Sequence, residues 1–285
     1  MAQVLKGKPV ADHIREEAVA AIAAGEVSFR QPKLTIVRVG ERPDDLFYEG
    51  GVKKNCTLWG ISLEVKALPE TVSQEELLTV IGTLNQDSTV DGVLIFAPLP
   101  KHIDEKTVFA TLAPEKDIDG LTLTNQGKVY AGEKDCFAPC TPTAVMELLR
   151  YYDIPLQGKQ VVVLGRSLVV GKPVSMLLLD QNATVTICHS RTQNLAEVCR
   201  QADILVVAVG RARMVKENFT RPGQVVIDVG INSDPEQEGK ICGDVDFSRV
   251  EPICEKITPV PAGVGSITTA VLLKHVVAAW QKKQN

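Results

Sequence analysis

The chain has 285 residues, 45% of them hydrophobic and 23% charged, with a formal net charge of −4; that length exceeds a typical single domain and predicts two. A sequence pI near 5.7 counts against a nucleic-acid partner, which calls for a basic surplus, and no apolar run approaches the ~18 residues of a membrane span. The first residues lack the long apolar core of a secretory signal, so the expectation is a soluble cytoplasmic protein without membrane partners.

In chain order, the segments 33–40, 61–68 and 91–96 read as strands, and 44–54 and the stretch after Ser73 read as helices. Ser73 with Glu76 three residues on forms a capping box. Pro98 and Pro100 turn the third strand into a loop. Thr141-Pro142, in cap and first-turn order, opens a helix over 141–152. The strands 160–165, 184–188, 204–209 and 224–229 follow. They are rich in β-branched residues and largely free of polar alternation, as strands buried on both faces should be. The charged, turn-rich stretch 232–240 reads as a surface connection, and a last helix covers about 267–281. Strands alternating with helices predict an α/β fold with parallel sheets. Seven scattered cysteines predict buried free thiols. Cys136 and Cys140 are the only close pair, without the further ligands of a zinc site, so no metal is expected.

The run Val162-Val163-Leu164-Gly165-Arg166-Ser167-Leu168-Val169-Val170-Gly171-Lys172-Pro173 is a strand leading through a glycine turn into a helix. Such a turn lets backbone approach a phosphate, and the helix start offers N–H donors and a positive dipole end; a plain tight strand–helix turn is the alternative. The next strand ends at Cys188-His189-Ser190-Arg191-Thr192, where dinucleotide folds read the ribose 2′ position. Hydroxyls and a guanidinium there, in place of a carboxylate, favour NADP over NAD. Arg166 could assist. His189 reads as structural, and Arg211 and Arg213 either join this basic rim or are solvated.

These two motifs, with Asp228-Val229-Gly230-Ile231-Asn232, closely resemble the cofactor motifs of the bifunctional methylenetetrahydrofolate dehydrogenase/methenyltetrahydrofolate cyclohydrolase family. The resemblance runs from about residue 3 to 280. It includes Tyr48, Pro98-Leu99-Pro100, Pro114-Glu115-Lys116-Asp117-Ile118-Asp119-Gly120, Cys140-Thr141-Pro142 and Thr258-Pro259-Val260-Pro261. It implies a folate-binding catalytic α/β domain of residues 1–140 plus 268–285, a Rossmann-like NADP-binding domain of residues 141–267, the folate in the cleft, and a homodimer formed through the nucleotide-binding domains. Tyr48 and Asp119 would be catalytic, Asp119 binding the pterin; capping of the Gly120 turn is the alternative for that carboxylate. Tyr48, Ile95, Phe96, Ala97, Asp119, Pro261 and Gly263 would contact the folate. Gly165, Arg166, Ser167, Gly171, Pro173, Ser190, Arg191, Thr192, Gly210, Gly230, Ile231 and Thr268 would contact NADP.

Three departures from the family pattern fall around the folate. Val52 stands where the family has a lysine four residues after the tyrosine, one helical turn on and on the same face. Phe96 replaces a glutamine that contacts both that lysine and the pterin. Ala262 to Thr268 reads Ala-Gly-Val-Gly-Ser-Ile-Thr in place of a loop that opens Gly-Gly and carries proline and methionine at positions 266 and 267. The expectation is therefore an NADP-dependent methylenetetrahydrofolate dehydrogenase with weak or absent cyclohydrolase. One alternative is a fully bifunctional enzyme using another base, with Lys53 or Lys54 swung inward by an irregular Gly50-Gly51 segment. Another is a non-catalytic NADP-binding paralogue. Two glycines inside the helix would cost roughly 1 kcal/mol each against alanine, leaving irregularity, close packing or a different ligand that requires the missing side chains to account for them.

Overall fold

The structure is a computed structural model and describes residues 1–25 and 30–284. It divides into two compact units: His13–Ala138 with Leu272–Asn285, and Met1–Asp12 with Pro139–Val271. Residues 26–29 and 285, which the expected division assigns to the first domain, lie outside the described residues. Residues 1–12 differ from that division for a physical reason. Strand β1 (Gln3–Val4) pairs in parallel with a strand near residue 256, so its backbone hydrogen bonds belong to the sheet of the other unit.

Helix α1 (Gly7–Ala23) is followed by β2 (Lys33–Val39), α2 (Pro43–Trp59), β3 (Ser62–Leu68), α3 (Gln74–Gln86), β4 (Gly92–Ile95), α4 (Glu105–Thr111) and α5 (Leu123–Ala131). The three strands form a parallel sheet in the order β3-β2-β4. β2 is central and almost wholly buried, which is why it reads as a near-continuous apolar run. α3 presents Leu77, Ile81 and Leu84, one helical face, to Val37, Val39, Val93 and Ile95 of the sheet. Its expected capping box is present: Ser73 Oγ accepts from Glu76 N at 3.2 Å, and Glu76 Oε2 accepts from Ser73 N at 2.9 Å.

Two buried charges anchor the loops of this unit. Asp91 accepts both Arg30 guanidinium nitrogens, at 2.6 and 2.7 Å, and the Lys33 amide at 2.8 Å. Lys116 Nζ donates to the carbonyls of Leu84 (2.5 Å), Asn85 (2.9 Å) and Asp87 (2.6 Å). It thus closes the C-terminal end of α3, where carbonyls lack helical partners and the dipole is negative. Burial lowers its pKa.

The second unit continues with α6 (Cys140–Tyr151), β5 (Gln160–Leu164), α7 (Gly171–Asp180), β6 (Thr184–Cys188), α8 (Leu195–Gln201), β7 (Ile204–Val207), β8 (Val225–Asp228), β9 (Asn232–Ser233), β10 (Ile241–Cys242), α9 (Phe247–Val250), β11 (Lys256–Ile257) and the start of α10 (Gly265–Gln281), which from Leu272 on belongs to the first unit. Its parallel sheet has the order β1-β11-β8-β7-β5-β6. β7 and β8 are buried along their whole length and β5 nearly so, as their composition predicts. β6 corrects the expectation of full burial: it is the last strand of the sheet and half exposed. The helix expected to start with a Thr141 cap begins one residue earlier, after Pro139, with no side-chain cap. Pro142 falls at the third helical position, where its missing N–H has no intrahelical partner to lose. Of the expected 232–240 connection, Asn232–Ser233 form β9, and 234–240 is the hairpin loop that joins it to β10.

Replacing Lys116 by Met should cost about 1–3 kcal/mol, because three carbonyls lose their buried donor. Urea unfolding measures this, and a loss below about 0.5 kcal/mol would contradict the capping role.

Candidate active site

α2 carries the first set of candidate residues. Its buried stripe is Asp45, Val52, Cys56 and Trp59, at helical spacings of seven, four and three. Val52 is 0% exposed, Tyr48 is 37% exposed one turn earlier, and Lys53 and Lys54 both face outward. The Tyr48 and Phe96 rings lie 5.6 Å apart between centroids at 43°, a tilted contact worth about 0.5–1.5 kcal/mol beyond area burial. The helix is regular through Gly50 and Gly51, and a Cβ on either would meet nothing within 4 Å. Neither irregularity nor close packing therefore requires these glycines, and nothing in the structure explains them. A residue passed over in the sequence is Phe47, 88% exposed beside Tyr48; an exposed aromatic adjoining a candidate tyrosine was its only signal.

The rotation of α2 is set by the Arg38–Glu49 ion pair at 2.8 Å, whose arginine side chain is only 7% exposed. Arg38 also donates to the Gly40 carbonyl. Beyond the C-terminal ends of β2, β3 and β4 lies an open depression of about 1090 Å³, lined by Gly40, Arg42, Glu70, Pro98, Leu99 and His102. Strand C-terminal ends are where parallel sheets present ligands. Ile95 and Phe96 are buried there and Ala97 is exposed.

Asp119 is half-buried at the end of a strongly held loop. The neighbouring Asp117 carboxylate accepts from Leu121 N (3.1 Å), Thr122 N (2.8 Å) and Asn125 Nδ2 (2.9 Å). A His275 ring nitrogen lies 2.8 Å from the Ile118 carbonyl. Asp117 thus holds the loop that carries Asp119.

In the second unit, Gly165 has φ +137° and a Cβ there would lie 2.2 Å from the Ala208 carbonyl oxygen; one on Gly171 would lie 2.3 Å from that of Gly165. Both positions demand glycine for the strand–turn–helix to close. Ser167 Oγ accepts the amides of Val170 (3.1 Å) and Gly171 (3.3 Å), ordering the start of α7. Arg166 and Ser167 are exposed, whereas Gly171 and Pro173 are buried. At the end of β6, Ser190 and Arg191 are exposed, and His189 Nδ1 accepts the Arg191 amide at 3.1 Å. His189 thereby shapes the loop, as its structural reading expects. Arg213 pairs with Asp234 and Glu236, which ties it to the 234–236 turn.

The ends of β7 and β8 are organised by two buried carboxylates that sequence reasoning missed, because their partners are backbone amides from distant segments. Asp244, 0% exposed, accepts from Val209 N (2.6 Å), Gly210 N (3.0 Å), Arg211 N (2.7 Å) and Asn232 Nδ2 (2.9 Å). Asp228 accepts from Gly230 N (3.0 Å), Asp244 N (3.1 Å) and Val245 N (2.9 Å). Burial raises the Asp228 carboxyl to about 7. A Cβ on Gly230 would fall 2.2 Å from Asp244 Cγ, and one on Gly243 1.8 Å from Asp228 Oδ2. Those two glycines make room for the acids. Ile231, 62% exposed, borders a cavity of about 210 Å³ with Asp228, Gly230, Pro261, Gly263 and Ser266. Thr268 is half-buried in the first turn of α10.

All seven cysteines are free; six are buried and Cys136 is half-buried. Burial pushes Cys56 and Cys199 up to about 12 and Cys254 to about 11, so these thiols stay protonated and unreactive. No described helix is long and apolar enough to cross a membrane.

Comparison with known proteins assigns both halves of the chain. Residues 5–119 match the tetrahydrofolate dehydrogenase/cyclohydrolase catalytic domain, and residues 139–284 match the NAD(P)-binding domain of the same name. The chain is 60% identical over 279 residues to the bifunctional protein FolD of Carboxydothermus hydrogenoformans, covering 98% of this chain and 97% of that one. Among solved structures, the bifunctional FolD methylenetetrahydrofolate dehydrogenase/cyclohydrolase of Campylobacter jejuni superposes with a TM-score of 0.95 at 38% identity, covering 99% and 100% of the two chains. The Trypanosoma brucei methylenetetrahydrofolate dehydrogenase-cyclohydrolase, solved with NADP and an inhibitor, gives 0.92 at 35% identity, covering 99% and 98%.

Ala262 carries a side chain at φ +76°, in the left-handed region that costs a non-glycine residue roughly 1–2 kcal/mol. Ala262→Gly should therefore raise stability by up to about 1 kcal/mol after the entropy of a freer unfolded chain is subtracted. Thermal unfolding reads this out, and a lowered midpoint would contradict it.

Proposed function

The chain belongs to the tetrahydrofolate dehydrogenase/cyclohydrolase family, and on that premise we propose that it oxidises 5,10-methylenetetrahydrofolate to 5,10-methenyltetrahydrofolate with NADP, while hydrolysis of the methenyl product is weak or lost. The observation that carries the second half is Val52, fully buried beside an aromatic Tyr48–Phe96 contact. The homodimer implied by the resemblance is proposed to form through the nucleotide-binding unit, where β6 ends the sheet and leaves one hydrogen-bonding edge open.

The two half-reactions ask different things of the protein. NADP, when bound, supplies the acceptor for the electron pair that leaves the methylene carbon. For that step the chain needs only to hold and orient its ligands. Tyr48, Phe47 and Phe96 offer flat apolar surface, and Asp119 offers a carboxylate for the pterin N–H groups. Ser190, Arg191 and Thr192 provide hydroxyls and a cation for a 2′-phosphate, and the Gly165–Gly171 turn provides the close backbone. Hydrolysis also requires a water to be activated by a group of tuned pKa. Valine has no proton to exchange, and a phenol with an ordinary pKa of about 10 is a poor base at neutral pH. Lys53 and Lys54 are exposed on a regular helix, which speaks against either replacing the missing amine. The bifunctional names of the relatives favour the competing reading, in which another group activates the water.

Arg191→Ala should raise KM for NADP roughly tenfold to a hundredfold, the range of a charge-assisted hydrogen bond, and leave NAD-dependent turnover nearly unchanged. An equal effect on both cofactors would sink the 2′-phosphate assignment. With methenyltetrahydrofolate supplied directly, the unmodified protein should not exceed the spontaneous rate of hydrolysis. Val52→Lys combined with Phe96→Gln should then add about a hundredfold, a typical acid–base contribution. Rapid hydrolysis by the unmodified protein would show that position 52 is not what limits it.

A further inference from the structure

Asp228 and Asp244 are the only charged residues buried among the described residues of the nucleotide-binding unit, and no lysine or arginine is buried with them. Two acids in a low-dielectric interior without a cation are costly. Their seven donors are amides, six of the backbone and one of Asn232, and these lower the cost without cancelling the charge. Gly230 and Gly243 are spaced so that the acids fit, so the arrangement is built into the fold. Asp228 also lines the cavity of Gly230, Ile231, Pro261 and Gly263. That cavity brings together residues assigned above to the cofactor and residues assigned to the substrate. The part of a dinucleotide that must meet both is its reactive ring.

We propose that Asp228, backed by Asp244, is a specificity determinant for the oxidation state of the cofactor, favouring the cationic nicotinamide of NADP+ over the neutral ring of NADPH. This rests on the NADP reading given above. The two cofactor forms share every phosphate, ribose and adenine contact, so a charge in the wall of the cavity that takes the ring is the kind of feature that separates them. Asp228 carries that charge in a pH-dependent way, because burial raises its carboxyl to about 7. The titratable groups that act on it are Asp244, which raises it further, and the Cys242 thiol, which burial keeps protonated. Deprotonation of Asp228 therefore strengthens discrimination as pH rises.

The test is equilibrium binding of NADP+ and NADPH by calorimetry at about pH 6 and about pH 8, with the unmodified protein and with Asp228→Asn. For the unmodified protein the ratio Kd(NADPH)/Kd(NADP+) should rise several-fold between the two pH values; the 2′-phosphate, common to both forms, cancels from it. Asp228→Asn should lower that ratio about tenfold at the higher pH, as expected for removing one charge a few ångströms away, and flatten its pH dependence. A ratio that is independent of pH in the unmodified protein overturns the proposal, as does a variant that weakens both forms equally. Should the variant fail to fold, the pH series on the unmodified protein decides alone. Binding of neither form at any pH would instead refute the NADP reading itself.

Discussion

The angular setting of α2 is the constraint on which the catalytic unit depends. A buried guanidinium cannot be left unpaired without a large penalty, so Arg38 holds Glu49 and through it the whole helix against β2. With Glu49 fixed, the side chain at 48 reaches the Phe96 ring and the side chain at 52 is fully enclosed. Position 52 is thus a place where chemistry and packing compete. A lysine there would be desolvated, which lowers an amine pKa and makes a base of it; a valine there simply completes the buried stripe with Cys56 and Trp59. The sequence has taken the second course.

In the nucleotide-binding unit the corresponding role falls to Asp244 and Asp228. Parallel strands end in loops whose amides must find partners. Here one carboxylate gathers three successive amides after β7, and the other gathers those that follow β8 and β10. The amides of residues 209–211 are consequently turned toward Asp244. Asp228 also lines the cavity that Ile231 borders. Asp228 thereby holds its loops and also forms part of that cavity's wall.

Much of this was legible in the residues themselves. β7 and β8 announce themselves because a strand buried on both faces must be apolar throughout, and the Ser73–Glu76 capping box is a purely local device. The glycine turn could be read because a strand that runs straight into a helix leaves no room for a side chain at Gly165 or Gly171. Other features depend on partners remote in sequence. β1 and β11 are two residues long and lie some 250 positions apart, so no local pattern reveals them. Asp244 looks like an ordinary surface acid until the amides of 209–211 fold over it. Thr141 resembled a cap, yet the helix starts before it, after Pro139, because a local signal cannot tell which of several nearby residues the tertiary fold will use.

The central claim is that oxidation and hydrolysis, coupled in the family's usual chemistry, come apart at Val52. The most direct measurement follows reduced cofactor and methenyltetrahydrofolate at two wavelengths in one reaction started with methylenetetrahydrofolate and NADP. The account predicts that the two products accumulate in parallel, one methenyl group for each NADPH, with decay of the methenyl signal only at its spontaneous rate. NADPH rising while the methenyl signal stays low would contradict it.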